Sequence, residues 1–168
     1  FEASDLGAIS TIAISGFTTA QAAALTATQA AGLSSSQIAR MDAEDVKRLA
    51  TDVVSALTVD QINGLSAEQI GELTTLQVSK LTATQLASLD SSQLQALATA
   101  HAAILTAAQL ASLDSTQIGK LEAEDMAALS TAVIASLSDT QIDGLSAQQI
   151  VDLTTAQSAA LIATQIAG

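Results

Sequence analysis

The chain has no cysteine, which excludes a disulfide framework and a thiolate zinc site. It also lacks proline, tryptophan and tyrosine, and its only aromatic residues are Phe1 and Phe17. Any core must therefore be aliphatic, and no set of exposed aromatics is on hand to anchor a partner. Basic residues are scarce: five Lys and Arg against seventeen Asp and Glu leave a net charge of −12. Such a chain repels nucleic-acid phosphates and anionic lipid. No basic segment followed by an apolar run marks a secretory leader. Long apolar runs are missing too. Residues 6–39 and 91–113 are uncharged, yet Ser, Thr or Gln interrupts them every few residues, whereas a membrane-spanning helix needs about 20 mostly apolar positions.

What is present is a register of eight. The 168 residues divide into 21 octads, each opening on an apolar residue, Leu in 17 of them. The consensus is L-[ST]-x-x-Q-[IL]-x-x, as in the consecutive octads LTATQLAS from Leu81 and LDSSQLQA from Leu89. Position two is Ser, Thr or Asp in 16 octads, and position five is Gln in 14 and Asp in three, at Asp5, Asp45 and Asp125. A Gln three residues after a Ser or Thr is a capping box: the hydroxyl accepts from the N3 amide, and the Gln reaches back to the N-cap amide. The apolar residues at positions one and six then form the hydrophobic staple, all four parts being present in Leu57, Thr58, Gln61 and Ile62.

A cap every eight residues predicts a helix that restarts every eight residues, because a capping residue weakens a helix interior. One long helix is excluded by drift. Eight residues turn it about 800°, which rotates an apolar stripe by about 80° per octad. The expected fold is all-α, a solenoid of short capped helices, one per octad. The alternative is a β-solenoid, since Thr, Ile and Val are plentiful, but positions one and six would then point to opposite faces of a strand, and Asn63 is the only Asn available for turns.

Longer echoes overlie the octads. Residues Met41 to Ser88 are repeated 80 residues later by Leu121 to Gly168, with a weaker echo at 40. Five octads per superhelical turn would stack residues 40 apart, and a pentagon with sides of about 12 Å has an inradius near 8 Å for Leu and Ile to fill. That arrangement predicts about four turns. It also places Arg40, Lys80 and Lys120, which each close a fifth octad, in a basic ridge. Residues 1–168 form a single domain in this reading, a possible segment of a longer array.

Few residues invite chemistry. His101, the only histidine, stands where Gln is expected and has no sequence partner for catalysis or metal binding, which marks it as a tolerated substitution. The acidic groups Glu2/Asp5, Asp42/Glu44/Asp45 and Glu122/Glu124/Asp125 offer carboxylates for calcium, but no EF-hand or glycine-rich calcium motif accompanies them. Acidic side chains in a first helical turn already serve the helix dipole. Ser and Thr recur at cap positions without a nucleophile elbow or a triad, no Walker or dinucleotide loop is present, and Gly64 and Gly144 fit helix C-termini. No catalytic or cofactor-binding residue is expected, and no small-molecule substrate.

The L-T-x-x-Q-I-x-x octads resemble octapeptide-repeat arrays of large, acidic, cysteine-free surface or secreted proteins of Gram-negative bacteria. The resemblance implies an extracellular or cell-surface location and a non-enzymatic structural role as spacer, stalk or self-assembling filament element. The alternative is an adhesin module that binds a protein or glycan. Solenoids bury a core only by stacking neighbours. The apolar ending Leu161 to Gly168, with Ile162 and Ile166, therefore predicts end-to-end self-association.

Overall fold

A computed structural model describes the backbone of residues 2–165 and the side chains of residues 2–161. Phe1, Ile166 and the side chain of Ile162 lie outside the described residues. Twenty short helices follow one another, from α1 (Ala3–Gly7) to α20 (Thr155–Gln165), with no strand among the described residues. The all-α solenoid is the observed architecture, and the β-solenoid is not.

Each helix starts where the capping residues predict. In α8 (Val59–Gly64) the N-cap Thr58 has extended backbone angles (φ −70°, ψ 163°), and its hydroxyl accepts from the Gln61 amide at 3.2 Å. Gln61 Oε1 accepts in return from the Thr58 amide at 2.8 Å. The same reciprocal pair recurs along the chain, for example at Ser34/Gln37, Thr82/Gln85 and Ser146/Gln149. Ala50 and Ala98 hold N-cap positions without a hydroxyl, yet their octads still restart. The last octad behaves differently. Its second residue is Ile162, which offers no cap, and α20 runs through the octad boundary for 11 residues.

Positions one and six build one continuous aliphatic core. Every position-six residue from Ile14 to Ile134 is 0–1% exposed, and the position-one residues from Leu25 to Leu137 are buried beside them. Burying each such Leu or Ile contributes about 1.5–3 kcal/mol.

The number of octads per turn differs from the expected five. Each helix packs on the third helix before it and the third after it, as α5 (Ser35–Ile38) does on α2 (Thr11–Ile14) and α8. Hydrogen bonds between turns join residues 28 and 31 apart. One turn is thus about 28 residues, or three and a half octads, and 168 residues make about six turns. The reason is filling. A pentagon with sides of about 12 Å leaves its axis about 8 Å from the walls, whereas a three-to-four-sided turn brings them within about 6 Å, where Leu, Ile and Val close the core.

Glycines let adjacent turns approach. A Cβ on Gly64 would lie 2.7 Å from the Ser35 carbonyl oxygen, and one on Gly32 or Gly144 would collide with the carbonyl of Ala3 or Ser115. None of the glycines has positive φ, so Gly64 and Gly144 stand at helix ends for close approach and not for a left-handed cap.

Candidate functional site: the glutamine ladder and the open turns

Helices this short leave many backbone carbonyls without a helical donor, above all the position-one carbonyl at each corner. The position-five glutamines satisfy them. Gln61 Nε2 donates to the carbonyls of Ala30 (2.8 Å) and Leu33 (2.6 Å), one turn earlier. Gln69 does the same with Ile38 and Met41, Gln93 with Ile62 and Leu65, and Gln149 with Ile118 and Leu121. Each side chain caps its own helix through Oε1 and ties it to the turn below through Nε2. Glutamate could not replace it, because a carboxylate has no donor for a carbonyl. The octad motif signals the first role and is silent on the second.

His101 fills this slot by imitation. Its Nδ1 accepts from the Ala98 amide at 3.1 Å, and its Nε2 lies 2.6 Å from the Leu73 carbonyl, 28 residues earlier. The neutral ring protonated on Nε2 reproduces the acceptor and donor of Gln. Burial pushes its pKa below the usual histidine range, partly offset by the bond to Leu73.

Asp45 and Asp125 take the slot without fitting it. Both are buried, and the Oδ2 of each has no hydrogen-bond partner among the described residues. Burial raises both pKa values; Asp42 and Glu44 add to the rise at Asp45, while a bond from Thr99 opposes it at Asp125. The valines of the following octads, Val53 and Val133, are buried in the slot with no donor at all. The ladder is therefore interrupted at residues 45–53 and 125–133.

The residues considered for calcium are not gathered. Asp42, Glu44, Glu122 and Glu124 are exposed, while Asp45 and Asp125 turn inward. Glu44 binds Arg48 at 2.9 Å, and Lys47 bridges to Glu72 in the next turn at 2.9 Å. No group of three His, Cys, Asp or Glu suited to a metal occurs among the described residues. Asp5 is exposed and caps the Glu2 amide at 2.9 Å. The expected basic ridge is also dispersed: 40 residues is not a whole number of 28-residue turns, so Arg40, Lys80 and Lys120 do not align.

The first and last described turns differ from the rest. At the N-terminal turn a cavity of about 380 Å³ opens between Leu6, Ile9, Ala13, Phe17, Gln21 and Leu25. At the other, Ile142, Leu145 and Leu153 are only partly buried, and the position-six residue Ile150 is 54% exposed. No helix among the described residues is long and apolar enough to cross a membrane.

The sequence model of a family described as the ALTTAQ repeat matches residues 38–75 and again residues 118–155. The two matches lie 80 residues apart, the interval of the internal echo, and each contains one interruption of the glutamine ladder. No curated protein matches the chain. On the double match and the helical ladder together, the chain is a repeat protein that carries two ALTTAQ-repeat segments.

Proposed function

We propose that the chain is a non-enzymatic structural rod that acts as a spacer, stalk or filament element outside the cell or at its surface. The observation that carries this reading is the glutamine ladder, which ties turn to turn along almost the whole chain. Its donors are spent on backbone carbonyls, so the side chains that elsewhere serve as binding groups here hold a shape. A core of only aliphatic side chains, without disulfides, suits an element whose length scales with the number of octads.

With turns stacked about 8–10 Å apart, six turns make a rod about 50–60 Å long. Negative-stain electron microscopy of the purified chain, with and without calcium, tests the reading. Uniform rods of that length, or filaments built from them, support it, and compact or irregular particles overturn it. Filaments that form only with calcium would assign the acidic octads a binding role. Retention of the rod by an extracellular polysaccharide or protein would favour the adhesin reading instead.

A further inference from the structure

We propose that the N-terminal turn of one copy docks on the C-terminal turn of a second copy, so that the inter-turn packing continues across the junction. The inference rests on the structural-rod reading and names its partner: another molecule of this chain, joined head to tail.

The slot residues of the first three octads are Asp5, Ala13 and Gln21. They repeat a pattern found twice inside the rod, Asp45, Val53 and Gln61, then Asp125, Val133 and Gln141. Both interior sets sit on a preceding turn, Gln61 bonding Ala30 and Leu33, and Gln141 bonding Leu110 and Leu113. The N-terminal set has the same make-up and no turn beneath it. Gln21 Oε1 caps the Thr18 amide at 2.9 Å, but its Nε2 carries no hydrogen bond among the described residues. The cavity lined by Leu6, Ile9, Phe17 and Leu25 lies where the interior sets meet the turn below.

The complementary face is at the other end. Ile150 is 54% exposed at an octad position that is 0–1% exposed from Ile14 to Ile134, and Leu153 beside it is only partly buried. Inside the rod, the equivalent residues are covered by a later turn whose slot residues stand 28 and 31 positions on. If a second copy continues the octads without a gap, its residue n takes the place of residue n + 168. Ala13 of that copy then covers the carbonyls of Leu153 and Ile150, Asp5 covers those of Leu145 and Ile142, and Gln21 lies against α20. The two faces differ, so the contact is heterologous and propagates into a chain of rods.

Three variants, each adding one negative charge, test the junction by sedimentation at about 0.15 M salt, where surface repulsion is screened beyond about 8 Å. Ala13→Glu blocks the N-terminal face and Ile150→Glu the C-terminal face. Both positions are exposed, and circular dichroism confirms folding. Ile12→Glu, 83% exposed at an outward octad position, is the control. The wild type and Ile12→Glu are expected to grow with concentration into linear oligomers, whereas the two face variants stay monomeric. Mixing Ala13→Glu with Ile150→Glu leaves one intact face on each and is expected to give dimers and nothing larger. A wild type that stays monomeric at all concentrations, face variants that assemble normally, or a mixture that forms no dimer would each overturn the proposal. Electron microscopy of the same samples separates the two readings: discrete monomeric rods sink the junction alone, and particles that are not rods sink the structural reading itself.

Discussion

Gln61 and Leu33 are 28 residues apart and directly bonded, the Gln61 amide nitrogen lying 2.6 Å from the Leu33 carbonyl oxygen. The same side chain holds the Thr58 amide through its oxygen. One residue thus decides where a helix begins and which earlier turn it rests on. This double use explains why the slot so often holds glutamine, whose amide carries a donor and an acceptor on one arm.

The ladder predicts a sharp difference between substitutions at a buried slot. Gln77 is fully buried and donates to Val46 and Leu49. Gln77→Leu is expected to cost about 1–3 kcal/mol by leaving carbonyls unpaired. Gln77→Glu is expected to cost about 3–5 kcal/mol at pH 7, since it buries a charge against carbonyl oxygens. Urea unfolding measures both. The Glu variant should recover on acidification, when the acid becomes a donor, and the Leu variant should not.

His101 gives a pH dependence of defined sign. Its folded pKa lies below the ordinary value of 6.5, so the fold favours the neutral ring. The stabilisation is complete above about pH 6.5 and is lost as pH falls through and below that value, because a protonated Nδ1 cannot accept from the Ala98 amide. His101→Gln should remove this dependence and raise the melting temperature at pH 6. Unchanged melting from pH 7.5 to 5.5 in the wild type would contradict the account.

Asp45 and Asp125 act in the opposite direction. Their pKa values are raised in the fold above the ordinary 3.8, so the folded state holds the proton more tightly. Their contribution is fully present below about pH 3.8 and is lost as pH rises through the folded values. The double variant Asp45→Gln/Asp125→Gln should be more stable than the parent at pH 7 and gain less on acidification. Thermal melts of both proteins from pH 7 to 4 decide the matter.

Glycine substitutions separate close approach from helix propensity. Gly64→Ala is expected to destabilise by about 1–3 kcal/mol, because the new Cβ would sit 2.7 Å from the Ser35 carbonyl oxygen and 2.9 Å from its Cβ. Gly16→Ala has space, its nearest neighbour lying 3.5 Å away, and should be neutral or stabilising by about 0.4–1 kcal/mol. Equal effects in denaturant titrations would mean that the turns do not interlock at Gly64.

The sequence by itself determined where the helices begin and which residues line the core. Thr58 and Gln61 find each other within one turn of chain, and Leu57 and Ile62 flank them, so the octad carries the information locally. Even the odd ending of α20 is legible, as Ile162 cannot cap. Only the tertiary structure decided how many octads close a turn. That number follows from how far Leu and Ile reach toward the axis and from small angles at every corner, and no single octad encodes it. Once the turn closes at about 28 residues, the rest is settled with it. Gln61 finds Leu33, His101 finds Leu73, Asp45 and Asp125 are left facing inward without partners, and Arg40, Lys80 and Lys120 fall on different sides of the rod.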